Sequence, residues 1–155
     1  MGWGKLEAEL RKLVKKKGLE KRVYFTEPVA PEQVVYYCMS ASVGVVIVQC
    51  TSLNNYFATP NKLYEYINAR LPIVSSDFPA LKEIVEKYGL GCTFDPEKPE
   101  SIAAAINFIL ADEERYNAMR ENALEAARIF NWETGSQKLL EIYRRLRYRF
   151  DDRTT

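Results

Sequence analysis

The chain has no histidine at all among its 155 residues. That removes the usual general base and the commonest metal ligand. Cysteine is nearly as scarce: Cys38, Cys50 and Cys92 are far apart and odd in number. No pair has metal-ligand spacing, and a disulfide framework would want an even count, so they read as small apolar residues in a reducing compartment. Charge of one sign is also lacking. The 22 Lys+Arg and 21 Asp+Glu leave a net charge of +1, which argues against a dedicated nucleic-acid binder. No apolar run approaches the ~18 residues of a bilayer span. No secretory leader is evident, because the N-terminus turns charged and helical at once. These absences point to a cytoplasmic chain that does not span a membrane, with the inner membrane face left open.

What is present is a regular alternation. Leu6, Leu10, Leu13 and Val14 recur at helical spacing over residues 5–17, closed by Gly18. A β-rich run, RVYFT (22–26), stops at Pro28, and Pro31 opens a second helix. VGVVIV (43–48) is continuously apolar, as in a parallel strand buried on both faces. After a polar loop a third helix follows Thr59-Pro60. Strands at 72–75 and 90–94 then alternate with a helix from Pro79. Helices are expected at 99–111, 112–130 and 132–149. The pattern predicts a single three-layer α/β/α domain, residues 1–155, with a parallel sheet of about four strands and a closing helix and tail from 132 to 155. MGWGKLEAEL enters a helix through Gly2-x-Gly4 with no strand before it, so one or two strands that would precede Gly2 are expected to be absent.

TSLNNYFATP (51–60) carries the chemistry. It leaves the carboxyl end of a buried strand, where open parallel sheets bind ligands. Thr59 suits an N-cap and Pro60 the first helical position, leaving the N–H groups of Asn61, Lys62 and Leu63 free at the positive pole of the helix. With the Lys62 charge beside them they form a candidate phosphate site; an ordinary hydrated helix start has the same appearance. Glu65 shares a face with Asn61 and stands one turn behind, placed to accept from a ribose diol; near a helix start a glutamate is also stabilising by itself. Asn54 and Asn55 are candidate contacts to sugar hydroxyls or simple turn formers.

TPNKLYEYINARLPIVSSD (59–77) resembles the nucleotide-sugar-binding C-terminal half of GT-B retaining glycosyltransferases, the group 1, family 4-like set. GWGKLEAELRKL, RVYFTEPVAPEQVVYYCMSASVGVV, ALKEIVEKYGLGCTFDPEKPESIAAAI and FNWETGSQKLLEIY are similar to the family's other segments, in its order. The resemblance implies a Rossmann-like fold that binds a nucleotide-diphosphate sugar and transfers the glycosyl group to an acceptor hydroxyl. It implies Glu65 at the ribose and an acceptor-binding partner domain beyond this chain; Thr59, Asn61 and Lys62, read from the helix start, would then hold the diphosphate, while the family's own basic pair for the diphosphate has no match here. No metal is expected, and no catalytic residue is assigned. The family's pair of glutamates is incomplete: Phe57 stands where the first would be. Glu27 and Arg70 stand where the family has glycines. A non-catalytic interaction module that keeps the fold is therefore the alternative, and a receiver-type domain lacks its acidic pocket. The tail KLLEIYRRLRYRFDDR has six basic and three acidic residues around Leu139, Ile142, Tyr143, Leu146 and Phe150. It is expected to pack on its own domain or on a second one, with peripheral contact to an anionic membrane as the other reading.

Overall fold

The structure, a computed structural model, describes residues 4–151, with side chains through residue 146. The chain divides into two compact units, Met1–Val34 and Val35–Thr155. In the first, α1 (Glu7–Lys16) carries Glu7 and Glu9 in its first turn and Lys15 and Lys16 in its last, each sign at the favourable dipole end. Gly18 ends it at φ 64°: its N–H donates to the Lys15 carbonyl and that of Leu19 to the Val14 carbonyl, a closure that needs a left-handed residue. Met1–Trp3, and with them Gly2, lie outside the described residues. Residues 22–26 form no strand. Among the described residues no neighbouring strand pairs with them, and an extended run without a ladder partner is not a strand; Arg11 instead stacks 4.5 Å over the Phe25 ring. A 3₁₀ turn, Pro31–Gln33, closes this unit.

The second unit holds a sheet of three parallel strands, β1 (Gly44–Val46), β2 (Ile73–Ser76) and β3 (Gly91–Phe94), in the order β1-β2-β3. That is one strand fewer than the alternation predicts. The helices are α2 (Val34–Cys38), α3 (Leu53–Phe57), α4 (Asn61–Asn68), α5 (Pro79–Lys87), α6 (Pro99–Leu110), α7 (Glu113–Ala127) and α8 (Trp132–Asp151). β2 is central and buried throughout, and its alternating side chains serve two cores. Ile73 joins Val46, Leu63, Ile67, Leu81 and Val85 under α4 and α5, while Val74 joins Phe94, Ala105 and Ile109 under α6. The Rossmann-like α/β layering follows. β1 is shorter than the apolar run that contains it and lies at the sheet edge, not its middle.

Close approach matters at two glycines. A Cβ on Gly91 would sit 1.8 Å from the Ile73 carbonyl oxygen, and one on Gly44 would sit 2.4 Å from the Tyr66 ring. α5 ends on Gly89 (φ 58°) with the same pair of bonds seen at Gly18. α4 ends identically on Arg70, also at φ 58°: Arg70 N donates to Ile67 O and Leu71 N to Tyr66 O. A side chain there costs about 1–2 kcal/mol that glycine avoids. In α8, Leu139, Ile142, Tyr143 and Leu146 are exposed, so the expected packing on its own domain is not found; Phe150 and residues 152–155 fall outside the side chains or residues described.

Candidate functional site

The site is built upward from the end of β1. Beyond Val46 the ladder to β2 is continued by a side chain. The buried Ser76 hydroxyl accepts from Val48 N and donates to Val48 O, each at 2.8 Å. This splint fixes where the chain leaves the sheet. The next stretch is not the plain loop expected. Ser52 caps the short α3, accepting from Asn55 N at 3.2 Å, and Asn55 Nδ2 donates to Thr51 Oγ1 at 2.6 Å. Tyr56 anchors the segment, its ring 5.1 Å from Phe78 and 4.9 Å from Phe57, while Phe57 itself is exposed. Asn54 and Asn55 thus sit on a helix, and the Asn55 amide nitrogen is already engaged.

The start of α4 also differs from expectation. Pro60, at φ −69° and ψ 151°, is the N-cap itself, and Thr59 does not cap. Tyr64 Oη reaches back to donate to Thr59 Oγ1 at 3.1 Å, which turns that hydroxyl away from the helix end. Leu63 N donates to Pro60 O at 2.9 Å, so of the three amides expected to be free, those of Asn61 and Lys62 are without an acceptor among the described residues. Lys62 is half-buried, and its Nζ donates to Ile47 O at 3.2 Å, at the end of β1. Burial pushes its pKa below the ordinary lysine value.

Glu65 is half-buried, and among the described residues no hydrogen bond or ion pair engages its carboxylate. Its charge is felt nearby. The Cys38 thiol is raised by burial and then by Glu65, and the Tyr66 hydroxyl by burial, Cys38 and Glu65. Asn61, Tyr64, Glu65 and Asn68 form one stripe of α4, and that stripe walls a cleft of about 690 Å³. The opposite wall runs through Phe130, Asn131, Trp132 and Lys138. Asn68 Nδ2 ties the walls together, donating to Tyr64 O and to Phe130 O at 3.0 Å. Asn131 caps α8 by accepting from Thr134 N at 2.8 Å, and Trp132 stands 74% exposed at the rim. The structure therefore brings Asn61 and Glu65 into one cleft and turns Lys62 toward the sheet. Sequence reasoning missed the far wall; the Asn131-x-x-Thr134 cap was its only local signal.

Comparison with known proteins extends the picture. The profile described as "Glycosyl transferases group 1" matches residues 1–126. The chain is 28% identical over 137 residues to the D-inositol 3-phosphate glycosyltransferase of Corynebacterium urealyticum, covering 88% of this chain and 31% of that protein. It is 27% identical over 125 residues to the protein of that name from a Nocardioides species, covering 81% and 26%. The chain thus spans about a third or less of the curated relatives it matches. Among solved structures, the sucrose-phosphate synthase of Thermosynechococcus elongatus superposes with a TM-score of 0.74 at 25% identity, over 90% of this chain and 34% of that one. A profile match over most of its length, on a matching α/β fold, makes this chain a member of the glycosyl transferases group 1 family.

Proposed function

We propose that this chain is the donor-binding half of a glycosyltransferase. It binds a nucleotide-diphosphate sugar for transfer to an acceptor hydroxyl held by a domain outside residues 1–155, with retention at the anomeric carbon as the family resemblance suggests. One observation carries the reading: an unpartnered carboxylate, Glu65, stands one turn behind two free amides, of Asn61 and Lys62, beside an open cleft. Free amides at a helix start, the dipole and a lysine favour a diphosphate, and Thr59 lies beside them. A carboxylate at that depth accepts the two hydroxyls of a ribose. Asn54 and Asn55 face the sugar in this reading. In the complete enzyme the same groups would stabilise charge on the departing diphosphate, so the reading calls for no metal.

Alone, the half-site binds weakly. A charge-assisted hydrogen bond contributes ~1.5–3 kcal/mol and the dipole ~0.3–2, less ordering costs. A net of ~4 kcal/mol corresponds to millimolar affinity. The test is titration with UDP-, GDP- and ADP-sugars while the amides of residues 59–65 are followed by NMR. Shifts saturating in the millimolar range support the site, and silence to several millimolar ends it.

The exposed Phe57, in place of the family's first glutamate, favours a second reading: a non-catalytic partner subunit that keeps the fold. In that case Lys62→Ala and Glu65→Ala leave its biological activity intact. The exposed apolar stripe of α8, flanked by Lys138, Arg144 and Arg145, further suggests a peripheral contact with an anionic membrane at the cytoplasmic face. Co-sedimentation with anionic liposomes that is lost at high salt supports it; no sedimentation at low salt removes it. Among the described residues no helix is long and apolar enough to cross a membrane.

A further inference from the structure

Away from the mouth, one residue is held in a costly conformation without a contact that accounts for it. Arg70 closes α4 at φ 58°, where glycine would close the same pair of bonds without strain. A cation at the carboxyl end of a helix is favourable, but the dipole acts on any basic residue of the last turn and asks for no left-handed backbone. Outlying backbone geometry of this kind points to a use for the side chain.

Across from Arg70 stands one face of α7. Asn117, Arg120, Glu121 and Leu124 recur at helical spacing and, with Arg70, line a cavity of about 150 Å³. α4 packs on α7, and the cavity lies at the rear of α4, the length of that helix (about 12 Å at 1.5 Å per residue) from its start at Asn61. The four polar side chains of the lining are exposed, so the cavity is open to solvent. Other arginines of α7 are paired: Arg115 with Asp112 at 3.3 Å and, at the C-cap, Arg128 with Glu125 at 3.0 Å. Among the described residues neither Arg70 nor Arg120 makes an ion pair or a side-chain hydrogen bond, even with the Glu121 carboxylate of the same cavity, and the Asn117 amide is also unengaged.

We propose that this cavity binds hydrogen phosphate, a tetrahedral oxyanion that carries one proton. The two guanidiniums offer planar forks of N–H donors that match phosphate oxygens, and the Asn117 amide adds a neutral donor. Glu121 repels an anion that has no proton. Toward hydrogen phosphate its carboxylate is instead an acceptor: the P–OH donates to it, while the other phosphate oxygens accept from the arginines. The cavity thus selects by proton as well as by charge. Sulfate has the same shape and charge at neutral pH but no donor. A phosphate monoester, with its second pKa near ~6, has largely lost its P–OH there, so the free ion is the better ligand. This site is separate from the proposed diphosphate site at the front of α4 and does not depend on it.

The test uses the full chain and inorganic phosphate at neutral pH, with sodium chloride holding the ionic strength constant. The guanidinium NMR signals of Arg70 and Arg120 and the side-chain amide of Asn117 should shift and saturate in the millimolar range, with sulfate and phenyl phosphate binding about tenfold or more weakly. Arg70→Gly should weaken phosphate binding about tenfold. That variant relieves the left-handed residue and so stays folded, and its nucleotide-diphosphate titration at residues 59–65 should be unchanged. Glu121→Gln should bring sulfate to within about twofold of phosphate, because the repelling charge is gone and the P–OH loses its acceptor. Four results overturn the proposal: no shift at Arg70, Asn117 and Arg120 up to tens of millimolar phosphate; shifts confined to residues 59–65, which put the phosphate at the mouth; sulfate binding as well as phosphate to the unaltered chain, which reduces the cavity to unselective surface charge; or undiminished binding by Arg70→Gly.

Discussion

The interior of the sheet and the mouth above it follow opposite rules. In the interior of the sheet the polar groups are matched closely: the buried Ser76 hydroxyl is bonded twice to Val48, and Gly91 lets β3 approach β2 as closely as backbone allows. At the mouth, polar groups are left open. Among the described residues the Asn61 and Lys62 amides have no acceptor and the Glu65 carboxylate has no donor, and Lys62 is charged where burial disfavours it. Groups that cost stability when left unmatched are held in place by a closely bonded sheet, the arrangement expected where a ligand supplies the missing partners.

Substitutions can break that contrast from either side. The largest effect is expected at Gly91→Ala, where a methyl group meets backbone on β2; the chain should lose cooperative unfolding or fail to accumulate as folded protein. Leu63→Ala, beneath the same helix start, should cost about 2–5 kcal/mol in chemical denaturation, with the amide shifts of residues 59–65 perturbed through the fold. Ser76→Ala leaves Val48 N–H and C=O unpaired and should cost about 1–3 kcal/mol. At the mouth the sign of the response changes: Lys62→Ala should shift stability by less than about 1 kcal/mol yet weaken nucleotide-diphosphate binding about tenfold or more, read by the same titration.

The smallest effects sharpen the comparison. Arg70→Gly should stabilise the chain by about 1 kcal/mol without altering binding, because it relieves a left-handed residue at the rear of α4 and leaves its front untouched. Lys62 also sets a pH dependence. Its folded pKa lies below its unfolded value, so between the two the unfolded chain holds more protons and stability rises slightly with pH. Binding runs the other way: affinity for a diphosphate should fall at a lower pH than an ordinary lysine predicts, and Lys62→Arg should extend it upward.

Long periodic segments were legible in the chain as written. α5, α6 and α7 begin within two residues of their expected starts, since Pro79 and Pro99 at N1 and Asp112 at the N-cap are local signals. The residues around Thr59 were legible only in part. Proline after threonine suggested a capped helix with proline inside, and nothing local disclosed that Tyr64 would claim the Thr59 hydroxyl. α3 was hidden for a different reason: LNNYF is five residues with two asparagines, too short and weak to show periodicity, and is held by Ser52 and by Tyr56 against Phe78. Strand order was invisible because an apolar run looks the same in the middle of a sheet and at its edge. The far wall of the cleft depends on Asn68 meeting Phe130 across 62 positions, which no window can read.

The Lys62 ammonium resting on the Ile47 carbonyl has a calorimetric consequence. In the proposed site an incoming phosphate would meet a half-buried cation that already holds one oxygen, and would draw it off that oxygen. One polar contact is exchanged for another, so the heat released at this lysine should be small, and the gain should appear as water freed from the phosphate. Replacing the lysine with alanine should therefore change the entropy of association more than its enthalpy.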